Sequence, residues 1–223
     1  MQIENLIQFI SIAAIPILFA ITLHEAAHGY VARHFGDMTA YQQGRITLNP
    51  LRHIDPVGTI LLPLLTLILT FKSGGILFGW AKPVPVNFAA LRHPKKDMLW
   101  VAFAGPAANL FMALCWALLA KMSWLNPGNY FAVPLYEMAL MGVQINVTLM
   151  LLNLLPLPPL DGGRMAISLL PQRQAYKLAQ FERYGIFILI FMAIFPPGSP
   201  VLWWILSPLI RTMSYVIYSI FGM

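Results

Sequence analysis

From about Phe9 to Val31 the chain is almost unbroken apolar sequence, and within it stand His24-Glu25-Ala26-Ala27-His28. About 20 apolar residues in a helix cross the hydrocarbon core of a bilayer, so this stretch reads as a membrane span. Two imidazoles and a carboxylate inside a span are costly unless they are paired or bound to a metal. Residues four apart on a helix share a face, so His24 and His28 can direct their rings at one cation. Glu25, beside the first of them, can reach water at that cation without ligating it. An H-E-x-x-H helix holds zinc and supplies a general base in this way. The competing reading is a polar patch where a helix leaves the bilayer.

Of the 223 residues, 59% are hydrophobic and 10% charged, against about 25% charged in soluble domains. The chain therefore reads as one transmembrane domain over residues 1–223, with a core at about 5–170 and a C-terminal helical pair at about 184–221. The formal charge of +6 sits in loops. No basic stripe with interleaved aromatics supports nucleic-acid binding. Cys115 is the single cysteine, which excludes an internal disulfide and suits a small apolar packing residue. The opening residues carry Glu4 and no basic group, unlike a cleavable signal sequence.

In chain order, the first span covers about Asn5 to His34, and Gly36 fits the position just past a helix end. The apolar run Val57–Phe71 would reach only about 22 Å as a helix, short of the roughly 30 Å core. With Gly58 and Pro63 inside it, it reads as a re-entrant or interfacial segment. Gly74 to Asn87, GGILFGWAKPVPVN, resists helix. Pro83 and Pro85 place both missing N–H groups on one edge of a strand. The other edge, with Lys82, Val84 and Val86, keeps its donors and can pair with an unwound substrate; an ordinary surface loop is the alternative.

Further spans cover about Met98–Lys121 and Phe131–Leu155. The former carries Ala104-Gly105-Pro106-Ala107-Ala108-Asn109, small residues for close helix contact and an asparagine that can hydrogen-bond to a neighbouring helix. The latter carries Gln144, Asn146 and Asn153 and runs into NLLPLPPLDGGR, residues 153–164. Pro156, Pro158 and Pro159 cannot continue a helix. A broken chain at membrane depth is tolerated only beside protein or a water-filled cavity. Asp161, at the end of the break, suits either the N-cap of a new helix or a third zinc ligand, since a catalytic zinc takes three protein ligands and a water. Next come a polar amphipathic stretch, a short apolar run Gly185–Phe195, and a last apolar run Val201–Phe221 interrupted by Pro208 and Arg211. The expected architecture is an all-α polytopic membrane protein. It has about five to six transmembrane or re-entrant helices and a small membrane-embedded β segment.

Twelve of the 14 lysines and arginines fall in residues 33–96 and 164–183. The positive-inside rule places those stretches in the cytoplasm and the N-terminus outside. Both halves of the candidate metal site then approach the cytoplasmic face. His34, His53 and His93 stand among basic, loop-like residues and read as solvated or interfacial.

HEAAH within a span, AGPAAN opening a later one and NLLPLPPLDGG after that resemble the site-2 protease family of intramembrane zinc metalloproteases. The resemblance runs from about residue 20 to 170. It implies one zinc held by His24, His28 and Asp161, Glu25 as catalytic base, and Asn153 as a substrate-binding residue. It also implies that GWAKPVPVN is a membrane-embedded strand that touches substrate. The substrate would be a membrane protein or peptide with a transmembrane segment, and the setting a lipid bilayer, on size a prokaryotic cell membrane. There is no room for the PDZ or CBS domains that some members carry. The 57–71 insertion looks like that of the compact branch. A zinc-binding transporter or scaffold is the main alternative, and Glu25 argues against it, because a pure binding site does not need a base. A metalloenzyme acting on a non-peptide bond would use the same residues.

Overall fold

Long runs of Leu, Ile, Ala, Met and Phe form long helices in the computed structural model, which describes residues 3–61, 65, 79, 82–196 and 200–223. Helix α1 covers Ile3–His34, a short α2 Thr39–Gln42, α3 Pro94–Trp124 and α4 Ala132–Asn153. They are followed by α5 Asp161–Leu169, α6 Gln172–Ala179, α7 Glu182–Ile194 and α8 Val201–Ile220. Four are long and apolar enough to cross a membrane: Ile10–His34 within α1, then α3, α4 and α8. Helix α7 has 13 residues, about 20 Å, too short to cross the core. Among the described residues, then, four helices qualify as spans where five to six transmembrane or re-entrant helices were expected. Most of the Val57–Phe71 run lies outside the described residues.

Helix α1 stops where the sequence said it would. Gly36 has φ 106°, and the Asp37 and Gly36 N–H groups bond back to Ala32 and Arg33 carbonyls at 3.0 and 3.1 Å. This is a Schellman closure, which needs a residue that tolerates the left-handed conformation. Helix α3 starts with Pro94 in its first turn, where the missing N–H costs nothing. Asp97 reaches back to accept from the His93 N–H at 2.7 Å, satisfying a donor at the helix start.

Helices α1, α3 and α4 pack together, and α8 packs against α4. Ala113 and Ala117 of α3 meet Val143 and Val147 of α4 and Leu202, Leu206 and Ile210 of α8 in one buried cluster. Small residues on α3 let the backbones approach closely, the main source of packing energy between helices in lipid. After α4 the chain breaks. Gly162 and Gly163 then lie directly against the Leu154, Leu155, Leu157 and Pro158 backbone. A side chain at either position would collide with that backbone, so the two glycines let α5 fold back onto its own bend.

No strand occurs among the described residues; 82–87 run without regular structure. Most of 74–81, the first part of the expected β segment, lies outside the described residues; over 82–87 the backbone makes tertiary bonds in place of strand pairing. The Lys82 N–H donates to the His53 carbonyl at 2.9 Å, and Arg45 donates to the Lys82 and Pro83 carbonyls at 3.0 and 3.2 Å. The Asn87 N–H donates to buried Asp37 at 2.7 Å. His53 is accordingly not solvated: it is 2% exposed and its Nε2 lies 3.0 Å from the Thr47 carbonyl.

Candidate metal centre

Helical spacing brings His24 and His28 onto one face of α1, and the fold of the break brings Asp161 to them. Asp161 Oδ2 lies 3.2 Å from His24 Nε2 and 3.3 Å from His28 Nε2. The two Nε2 atoms are 3.1 Å apart. All three side chains are buried. Asp161 is the first residue of α5, one past the Leu160 N-cap, and its Oδ2 faces the two histidines.

The far side of each ring fixes its proton. His28 Nδ1 lies 2.7 Å from the Val101 carbonyl, which can only accept, so Nδ1 carries the hydrogen. His24 Nδ1 lies 2.6 Å from Asn109 Oδ1. The Asn109 amide nitrogen in turn donates to Asn146 Oδ1 at 3.0 Å and towards the Ala20 carbonyl at 3.4 Å. The Asn146 amide donates to the Gly142 carbonyl at 2.9 Å. This chain of amides leaves Oδ1 as the face of Asn109 turned to His24. With both Nδ1 atoms protonated, the neutral rings present Nε2 lone pairs to each other and to a carboxylate oxygen. Three electron-pair donors this close repel unless a cation, a proton or a metal ion, sits among them. The donor set, two imidazoles and one carboxylate, suits zinc, and a ring N–H held by an amide or carbonyl is the usual outer support of a metal-ligating histidine.

Room for the rings comes from Gly105. A Cβ there would stand 2.5 Å from both His24 Cε1 and His28 Nε2. Pro106, next in α3, lacks the N–H that would pair with the Ala102 carbonyl, loosening the ladder beside Val101. Gly105→Ala is therefore expected to push a ring out of place and weaken zinc binding by at least roughly tenfold. Asn109→Ala is expected to cost roughly 10–100-fold in zinc affinity, the range seen when an outer partner of a ligand is lost. Competition with a fluorescent chelator reads both; unchanged affinity in Asn109→Ala would remove that residue from the centre.

Glu25 sits half-buried beside the histidines, and its Oε2 accepts from the Val84 N–H at 2.7 Å. Val84 is buried and lines, with Val86, a cavity of about 140 Å³ that also reaches Asn153 and Arg164. Lys82 lies just outside and is exposed. Asn153 faces the cavity, with its amide donating to the Leu149 carbonyl of its own helix at 3.0 Å.

Sequence reasoning read Asn109 as a cross-helix contact and did not foresee that the contact would be a site histidine. It did not single out Val101, Gly105 or Arg164. The signal for Arg164 was its spacing, three residues after Asp161 and so on the same helix face.

A fold in which an H-E-x-x-H helix and a broken, proline-rich segment meet over a two-histidine, one-aspartate cluster defines a membrane metallopeptidase. The chain belongs to peptidase family M50, the site-2 protease family: the family pattern matches residues 128–196, and relatives of that class align along most of the chain. "Putative zinc metalloprotease YwhC" of Bacillus subtilis is 40% identical over 192 residues, 85% of this chain and 83% of that protein. A relative of the same description, Rip2 of Mycolicibacterium smegmatis, is 36% identical over 181 residues. That alignment takes in 80% of this chain and 65% of Rip2's length. No solved structure matches the chain.

Proposed function

We propose that this protein hydrolyses a peptide bond in or near a transmembrane segment of a membrane protein, using one zinc ion held by His24, His28 and Asp161. The observation that carries this reading is the convergence of both Nε2 atoms on the Asp161 carboxylate, with each Nδ1 held from the far side by Asn109 or the Val101 carbonyl. Zinc, when bound there, supplies a Lewis acid that brings the pKa of water down towards about 7 and polarises a carbonyl.

The protein's own groups do the rest. Glu25 accepts the proton of the attacking water and later delivers it to the leaving amine. Asn153 turns its amide from Leu149 to the substrate, donating to the backbone or to the carbonyl oxygen as charge grows on it. Residues 82–86 take the unwound substrate along their backbone. The Lys82 and Val84 N–H groups, held by His53 and Glu25 in the resting structure, exchange those partners for substrate carbonyls. Unwinding is required on size alone. A helix is about 10–12 Å across with its side chains and hides its carbonyls in its own ladder, whereas the cavity is about 140 Å³.

The distribution of basic residues supports a cytoplasmic position for the site and an external N-terminus. The bacterial relatives support a prokaryotic cell membrane. The test is incubation of the purified protein in lipid with a model transmembrane peptide, with and without a zinc chelator. Cleavage that stops on chelation and returns with added zinc is expected; cleavage indifferent to the chelator refutes the reading.

A further inference from the structure

Arg164 stands three residues after Asp161 on α5 and lines the metal cavity with it. Among the described residues that line that cavity, it is the one arginine or lysine. The other ionisable groups in the wall have partners of their own. His24, His28 and Asp161 face one another, and Glu25 accepts from the Val84 N–H. Among the described residues neither cavity carboxylate pairs with Arg164.

Two contacts hold the guanidinium. It lies 5.1 Å over the ring of Phe88, which lines the same cavity. An arginine stacked on an aromatic face is oriented, while the N–H groups around its edge stay free to bind. On the other side, Nη2 lies 3.8 Å from Glu182 Oε1 at the start of α7, too far for a hydrogen bond. The two side chains are 35% and 52% exposed, and an ion pair so open to water contributes little. An oriented fork of donors thus borders the metal centre, with a partner that it can exchange at small cost. The group on a peptide that fits such a fork is a carboxylate, bound through two parallel N–H donors.

We infer that Arg164 binds a carboxylate carried by the substrate close to the scissile bond, and so selects acidic sequence there; this rests on the peptidase reading above. Phe88 comes four residues after Val84, the contact of Glu25. At about 3.3 Å per extended residue, the acid falls within about four residues of the cut. The substrate carboxylate takes the guanidinium from Glu182, which returns to water. A peptide carbonyl at the same place forms a weaker bond, because hydrogen bonds between charged groups are roughly twice as strong as neutral ones.

The probe is a model transmembrane peptide with a single Glu, or Gln as control, moved one residue at a time through the cleaved end of its span. Wild type in lipid gives kcat and KM, and zinc-loaded Glu25→Gln protein gives peptide affinity by fluorescence anisotropy. At one or two adjacent positions Glu is expected to lower Kd and KM about tenfold relative to Gln. Arg164→Gln removes that difference. Arg164→Glu inverts it, favouring Lys at the same position, a gain that a misfolded protein does not show. Glu182→Gln frees the guanidinium and keeps or raises the preference. A peptide ending at that position, with its terminus free or amidated, tells a chain-terminal carboxylate from a side-chain one. The inference is overturned if Glu and Gln bind alike at every position, or if Arg164→Gln weakens both peptides by the same factor. It also fails if Glu182→Gln abolishes the preference as Arg164→Gln does, which would make Arg164 a bridge between helices only. A charge preference in binding without any cleavage would refute the peptidase reading and leave the carboxylate site standing.

Discussion

Glu25→Gln will bind zinc as the wild type does and cleave a transmembrane peptide about 10²–10⁴-fold more slowly, the usual contribution of a general base. The substitution is conservative where it matters. Glutamine keeps a side-chain oxygen that can still accept the Val84 N–H, now held by Glu25 Oε2 at 2.7 Å, so residues 82–87 keep their seat. His24 and His28 keep their partners, because Glu25 contributes nothing to the ligand cluster. Only the capacity to take up a proton is lost. Metal content by mass spectrometry, measured beside the cleavage rate, checks both halves. Retained cleavage would remove Glu25 from the base role, and lost zinc would make it a support of the centre.

Asp161→Ala will lower zinc affinity by more than roughly 100-fold, beyond what the loss of an outer partner costs. The variant keeps two of the three donors, and two neutral imidazoles bring no charge to balance a divalent cation. The effect should be separable from folding. Leu160, not Asp161, holds the N-cap position of α5, and the tight packing of Gly162 and Gly163 on the preceding bend does not involve the Asp161 side chain. Helix content by circular dichroism should therefore be unchanged while zinc is lost. Unchanged zinc content would exclude Asp161 as a ligand.

The cluster could be read from the sequence because each of its parts rests on a local rule. Helical periodicity puts His24 and His28 on one face, and three prolines force a break whose far end carries Asp161. Gly36 marked the end of α1 for a similarly local reason. What could not be read depends on how helices rotate against one another. α3 and α4 carry apolar residues on every side, and such helices have no stripe to say which residue meets which. Asn109 was thus legible as a donor between helices but not as the partner of His24.

Residues 82–86, the described part of the expected β segment, form no strand for a different reason. Alternating prolines suit an extended chain, but a strand also needs a partner. Here the N–H groups of Lys82 and Val84 go to a loop carbonyl and to the Glu25 carboxylate. His53, read from its basic neighbours as solvated or interfacial, turns out to be part of that support, its carbonyl taking the Lys82 N–H. Both are long-range bonds that nothing within the segment announces.

The central claim is that one zinc is held between α1 and the start of α5. Anomalous scattering at the zinc edge from crystals of the protein tests it most directly. One peak is predicted, about 2.0–2.1 Å from Nε2 of His24 and His28 and about 2.0–2.2 Å from an Asp161 carboxylate oxygen. A zinc peak elsewhere in the chain, or one that touches the histidines while Asp161 points away, would contradict it.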